Sequence, residues 1–328
     1  MKTVFGRLAS TLATAALAFS AFSVQAGPFT SMVVFGDSLS DTGNLFLATS
    51  GAQPPASQPY FNGRFSNGPL WVETLAASLG LPGAASPYLL GGGNYAFAGA
   101  RTGLFSNPGD PPGLLAQIAG IWGPGNPVAN PNALYVVVAG GNDLRDARSA
   151  PGNNAITRQV AAQVAVTNLS NAVALLAQKG AKNVLIANLP DLGATPEAGL
   201  LGARAASTDV TLRFNMLVGG MANTLQALYA GLDVNLLNLF DISNAVTADA
   251  LNNGGARFGI TNVTTACGTF AFSPGTSCGV SLFSDVLHPS ARAHNIIGGF
   301  ALQAVPEPGT LVLVVAALGA IVMVRRRV

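Results

Sequence analysis

Met32-Val33-Val34-Phe35-Gly36-Asp37-Ser38-Leu39-Ser40-Asp41-Thr42-Gly43-Asn44 decides how this 328-residue chain reads. Four apolar residues run straight into a polar turn containing glycine and serine. In an α/β protein such a turn closes a buried strand and can expose a nucleophile. Serine is weak in that role until a base takes its proton, and the base needs an orienting carboxylate. Far downstream, Asp285-Val286-Leu287-His288-Pro289 supplies an acid and an imidazole three residues apart, and His288 is one of two histidines in the chain. Ser38 is therefore the candidate nucleophile, His288 the candidate base, and Asp285 the group that fixes the imidazole tautomer. Proline after His288 disfavours helical geometry there, which suits a loop presenting a side chain. His294 falls within an apolar helical stretch and reads as structural.

Working outward, five apolar runs read as buried strands: residues 32–35, 95–98, 134–139, 184–188 and 234–240. Their apolarity is continuous rather than alternating, so both faces of the sheet are expected to be covered. Helical patterns fall between and after them, at 71–79, 155–178, 209–229 and 290–302, with Gly180 as a stop and Ser290 as an N-cap. Strand–helix alternation predicts a parallel sheet with right-handed crossovers. Residues 45–69, 102–132 and 247–284 read as irregular; the first two are long enough either to wall a site or to be surface insertions.

The order of four short blocks resembles the SGNH hydrolases, also called GDSL esterases/lipases: Gly36-Asp37-Ser38-Leu39, Ala96-Phe97-Ala98-Gly99-Ala100, Gly140-Gly141-Asn142-Asp143 and Asp285-x-x-His288-Pro289. Gly63-Arg64-Phe65-Ser66-Asn67-Gly68 followed by Trp71-Val72-Glu73 resembles the lipase-like branch. The resemblance spans roughly residues 31–302. It implies a flavodoxin-like, three-layer α/β/α sandwich with a five-stranded parallel sheet. It also implies ester hydrolysis through an acyl-Ser38 intermediate. The oxyanion would be held by the backbone N–H groups of Ser38 and Gly99 and by the Asn142 side-chain amide. Asp37, Asp41, Asn44 and Asp143 are expected to cap and support these blocks. The expected substrate is a small-molecule carboxylic ester or lipid. A carbohydrate O-acetyl ester, or a non-catalytic matrix role for the same fold, is the alternative.

The ends of the chain read as addresses. Residues 1–26, with Lys2 and Arg7 before an alanine-rich apolar stretch ending at Ala26, fit a secretory signal peptide, the other reading being a buried N-terminal helix. Residues 27–304 form the hydrolase region. Residues 305–328 place Val305-Pro306-Glu307-Pro308 before an uncharged run and Arg325-Arg326-Arg327. That tail resembles a PEP-CTERM sorting signal, which implies an exosortase-type processing enzyme as partner. It also implies transient inner-membrane association and delivery to the periplasm, surface or matrix of a Gram-negative bacterium. A plain membrane anchor is the competing reading, although the run of fourteen residues 311–324 would reach about 21 Å against a hydrocarbon core of about 30 Å.

Between these ends the region carries eleven basic and thirteen acidic residues, a net of −2, and no basic run, so nucleic-acid binding has no electrostatic support. Cys267 and Cys278 are the only cysteines, and in an exported chain they are expected to pair, free thiols being the alternative. Cysteines and histidines so scattered lack zinc-ligand spacing, and neither metal nor other cofactor is expected. Two motifs are set aside. Gly275-Thr276-Ser277-Cys278-Gly279 fits a nucleophile elbow, but Pro274 precedes it and no helical pattern follows. Gly91-Gly92-Gly93-Asn94-Tyr95-Ala96 fits a dinucleotide fingerprint without the acidic residue that motif needs.

Overall fold

The run that opens the hydrolase region forms strand β1, Ser31–Gly36. It is followed by α1 (Trp71–Ser78), β2 (Ala133–Val138), α2 (Gly141–Ser149), α3 (Ala155–Gln178), β3 (Asn183–Ala187), α4 (Arg204–Leu228), β4 (Asp233–Leu237), α5 (Leu239–Asn253), β5 (Asn262–Ala266), β6 (Ser281–Phe283) and α6 (Ala291–Ala304). This computed structural model describes residues 29–55, 60–105, 109–125, 128–150, 152–267 and 276–305. The expected signal peptide at 1–26 and the tail from 306 onward lie outside the described residues.

The main sheet is parallel, in the order β1-β2-β3-β4. All six residues of β2 are buried, as a strand covered on both faces requires. On one face Phe35, Tyr135, Val137, Val184 and Ile186 pack with Leu169, Val173 and Leu176 of α3 and Val210, Phe214 and Val218 of α4. On the other, α1 and α6 pack against each other. The α3 helix is long and apolar enough to cross a membrane, yet its Ala165, Leu169 and Val173 face is buried in this core.

Three sequence expectations need correction. The fifth strand, at 95–98, does not form a ladder. Val34 N–H donates to the Gly93 carbonyl, and Tyr95 and Phe97 N–H donate to the Val34 and Gly36 carbonyls, so the segment lies along the outer side of β1. A turn from Phe97 to Ala100 then ends the pairing, and only an isolated bridge, Val34 to Asn94, is left. The sheet thus has four strands among the described residues, flanked by an irregular edge. Second, residues 234–240 are not one strand: β4 stops at Leu237, and the Asn238 side chain accepts from Asp241 N–H to cap α5. Third, residues 247–284 are not all irregular, because they hold the end of α5 and a two-stranded parallel sheet, β5–β6.

Register decides where function can sit. Gly36 pairs with Val138 and Ala187 with Leu237, so the strands end together and their following loops share one edge. Because the segment at 94–97 lies on one side of β1 and β2 on the other, the chain changes direction between β1 and β2. A crevice at the carboxyl ends of the strands is expected at such a switch. The loops that flank it carry Asp37-Ser38 and Gly140-Gly141-Asn142.

Candidate active site

Gly36 is the hinge of the first loop. A Cβ there would lie 2.2 Å from the Val138 carbonyl oxygen, so no side chain fits. Its backbone is clasped by the fully buried Gln117. The Gln117 Oε1 accepts from Gly36 N–H at 2.8 Å, and Nε2 donates to the Gly36 and Pro112 carbonyls at 2.8 and 2.9 Å. Gln117 opens a π-helical turn, Gln117–Trp122, in the stretch read from sequence as irregular. Beyond Gly36 the chain turns tightly, with Ser40 and Asp41 N–H donating to the Asp37 carbonyl and Leu39 N–H to Asp37 Oδ1. Burial lifts the Asp37 carboxyl to about 6, the Leu39 N–H and the His288 ring pulling the other way.

Ser38 projects from this turn toward the opposite loop. Its Oγ lies 2.9 Å from His288 Nε2, and His288 Nδ1 lies 2.6 Å from Asp285 Oδ2. Asp285 Oδ1 accepts from the backbone N–H groups of Leu287 and His288, and Oδ2 also accepts from the Tyr60 hydroxyl at 2.8 Å. Burial opposes ionisation of Asp285, but the imidazole and these N–H donors outweigh it and hold the carboxyl at about 2. Desolvation and the Asp285 charge push the Tyr60 phenol far up, so it remains a donor. The loop is pinned at both ends: Ser284 N–H donates to the His288 carbonyl, and Ser290 N–H to that of Leu282.

The oxyanion candidates are assembled beside it. Gly99 sits in the Phe97–Ala100 turn in left-handed conformation, with φ of 83°. Asn142 lies in the first turn of α2, where Nδ2 donates to the Ala100 carbonyl at 2.9 Å. The backbone N–H groups of Ser38 and Gly99, and the second proton on Asn142 Nδ2, have no acceptor among the described residues. Ser38, Asn142 and His288 open onto one cavity, whereas Gly99 lies just outside its lining. That cavity is also walled by Leu239, Ile242, Val246, Leu282, Leu287 and Ile296.

The supporting residues behave as caps. Asp41 accepts four backbone N–H bonds, from Gly43, Asn44, Leu45 and Ala98, which ties the Ser38 turn to the Gly99 turn. Asn44 donates to the Asn94 and Ala96 carbonyls, and Asp143 accepts from Thr102 N–H and Oγ1. His294 is buried in α6, accepting from Trp71 N–H at Nδ1, and burial lowers it to about 3. Ser277 caps a short turn through Gly279 N–H, away from either histidine's hydrogen bonds. In the glycine fingerprint a Cβ on Gly92 would meet the Ser86 carbonyl at 2.1 Å, which makes the motif a packing turn. Cys267 and Cys278 are bonded to each other, and Cys267 N–H donates to the Phe283 carbonyl, two residues before Asp285. No group of three or more His, Cys, Asp or Glu converges as a metal site among the described residues.

Several contributors escaped sequence reasoning. Tyr60 and Gln117 carried no local signal. Phe65, Ser66 and Asn67 did lie in a block singled out above, without a role. The Phe65 ring sits 5.2 Å from that of His288, Ser66 Oγ donates to the Pro289 carbonyl, and Asn67 Oδ1 accepts from Ala291 N–H. That block therefore braces the far side of the His288 loop.

Comparison with known proteins gives the family. The family profile described as GDSL-like Lipase/Acylhydrolase matches residues 32–299. The chain belongs to this family. It is an esterase/lipase, an enzyme that hydrolyses ester bonds. Among its relatives is the phosphatidylcholine-sterol acyltransferase of Aeromonas hydrophila, 30% identical over 89% of this chain and 84% of that one. Another is the secreted effector protein SseJ of Salmonella typhimurium, 25% identical over 83% of this chain and 62% of that one. Among solved structures, a carbohydrate acetylesterase from Sinorhizobium meliloti aligns over 83% of this GDSL hydrolase and 95% of its own chain. Its TM-score is 0.44 and its identity 15%.

Proposed function

We propose that Ser38, His288 and Asp285 are the catalytic triad of this esterase, with Ser38 N–H, Gly99 N–H and the Asn142 amide as its oxyanion donors. The observation that carries this reading is the unbroken hydrogen-bonded path from Ser38 Oγ through both ring nitrogens of His288 to Asp285. His288 Nε2 takes the Ser38 proton as Oγ attacks the ester carbonyl carbon. The carbonyl electrons move to oxygen, and the resulting charge meets the three N–H donors. Collapse breaks the ester C–O bond, and the imidazolium returns its proton to the departing alcohol. Water, deprotonated by His288, attacks the acyl-Ser38 ester in a second round that frees the acid. Asp285 stays ionised throughout, stabilising the imidazolium.

The favoured substrate is an ester with an apolar acyl group, because aliphatic side chains line the cavity that Ser38 borders. The relative named as a phosphatidylcholine-sterol acyltransferase points the same way, toward a lipid ester. Ser38→Ala is expected to abolish hydrolysis of p-nitrophenyl esters, and Ser277→Ala to retain it. Full turnover by the Ser38→Ala enzyme excludes the mechanism. A panel running from acetyl to long acyl chains, with an acetylated sugar beside it, tests the substrate class; preference for the sugar acetate defeats the lipid reading.

Export and maturation belong to the same proposal. The reading is a signal peptide at 1–26 and a sorting tail at 305–328 removed by an exosortase-type enzyme, after passage through the inner membrane. The support for this reading is the sequence Val305-Pro306-Glu307-Pro308 ahead of an uncharged run and Arg325-Arg326-Arg327. Peptide mapping of the mature protein from its native cells is expected to lack residues 311–327. Their persistence favours a membrane anchor instead.

A further inference from the structure

Asn142 has an unusual second partner. While Nδ2 donates to the Ala100 carbonyl, Oδ1 accepts from Arg145 Nη1 at 3.1 Å, one turn along α2. These two bonds fix which way the carboxamide faces. A flipped amide would set oxygen against the Ala100 carbonyl and nitrogen against a guanidinium donor. A cation on Oδ1 also withdraws electron density from the amide and strengthens its remaining N–H as a donor.

Arg145 is itself held. Its Nε and Nη2 donate to the two carboxylate oxygens of Glu197, at 2.9 and 2.5 Å, and the buried Arg148 binds Glu197 as well. Burial works against the Glu197 charge, but the two guanidiniums prevail and lower its carboxyl below the ordinary range. The backbone N–H of Glu197 donates to the Val286 carbonyl at 2.7 Å, between Asp285 and His288. One short path therefore runs from the oxyanion amide to the loop of the acid and base.

We propose that Arg145, clamped by Glu197, is a positioning residue that sets the Asn142 amide for the oxyanion and locks it to the Asp285–His288 loop. This rests on the reading of Asn142 as an oxyanion donor. Arg145 borders the cavity, but its fork is committed to Asn142 and Glu197, so it is not a free anchor for an anionic substrate.

The test is steady-state kinetics on p-nitrophenyl butyrate, a neutral ester, for wild type, Arg145→Gln, Arg145→Lys, Asn142→Ala and the Asn142→Ala/Arg145→Gln double variant. Thermal melts verify folding. Arg145→Gln is expected to lower kcat at least about 10-fold and to leave KM within about twofold. In the Asn142→Ala background the same change is expected to cost nothing further. Additive losses, unchanged kcat, or a change confined to KM overturns the proposal. If Arg145→Gln does not fold, Arg145→Lys carries the test, because an ammonium cannot span both partners as a planar fork does; wild-type kcat in that variant is equally fatal. Full kcat in Asn142→Ala alone removes the oxyanion reading beneath the proposal, a result distinguishable from failure of the Arg145 link.

Discussion

As the proposed nucleophile, Ser38 would owe its reactivity to groups it does not itself contain, each with a separable contribution. Asn142 has one amide proton spent on the Ala100 carbonyl and one in reserve. Such a proton gains most from charge that exists only in the transition state. Asn142→Ala is therefore expected to lower kcat about 10²- to 10³-fold with little change in KM. A loss confined to KM reassigns the residue to substrate positioning. Tyr60 acts differently. It shares Asp285 Oδ2 with His288 and so competes for the same lone pairs while holding the carboxylate in place. The proposed triad could be singled out in the sequence because its chemistry demands rare residue types in fixed roles, and this chain has two histidines. Tyr60 and Glu197 could not. Each reaches the site through a backbone path unrelated to its neighbours, and a lone tyrosine in a loop or a glutamate in the five-residue helix Pro196–Leu200 carries no period and no motif.

At the scale of elements, the loop of the acid and base depends on the strand that feeds it. Strand β6 is three residues long, pairs with β5, bridges Pro289 through Phe283, and hands on directly to Ser284 and Asp285. The disulfide closes a span of 11 residues beside it, and Cys267 N–H holds the Phe283 carbonyl. Replacing both cysteines by serine is expected to cost about 3 kcal/mol in urea unfolding, from loop entropy restored to the unfolded chain. It is also expected to lower kcat, because the Asp285–His288 loop loses a tether. Unchanged stability makes the bond incidental. The same region shows where pattern reading gave out. Asn238 and Gly254 bracket α5 as cap and stop, and both are plain in the sequence, but the apolar run before Asn238 merges with Leu239-Phe240 and conceals the boundary. The edge at 95–98 failed for another reason. Its residues are apolar enough for a strand, but the turn carrying Gly99 cuts the pairing short. The α3 helix was legible to the residue, because Asn154 caps its start with Ile156 and Thr157 N–H and Gly180 in left-handed conformation ends it.

For the molecule as a whole, residues Thr30–Pro306 form one compact unit, so a proton bound at the site is felt by the entire fold. Two buried groups act with opposite sign. Asp37 rises from an ordinary 3.8 to about 6, so between those values the folded state holds a proton that the unfolded chain has released. Its contribution is present below about pH 3.8 and is lost as pH rises through 6. His294 falls from 6.5 to about 3, so over that window the unfolded chain is the one holding the extra proton. Its contribution is complete above pH 6.5 and drains away as pH falls toward 3. Each slope approaches about 1.4 kcal/mol per pH unit at most. Urea unfolding of wild type, Asp37→Asn and His294→Gln at pH 4, 5, 6 and 7 separates them. Relative to wild type, Asp37→Asn is expected to gain stability with rising pH from 4 to 6 and then level off. His294→Gln, whose amide can still accept from Trp71 N–H, is expected to lose relative stability over the same range. Parallel curves, or slopes of reversed sign, would show that neither burial penalty is borne by the group to which it is assigned here.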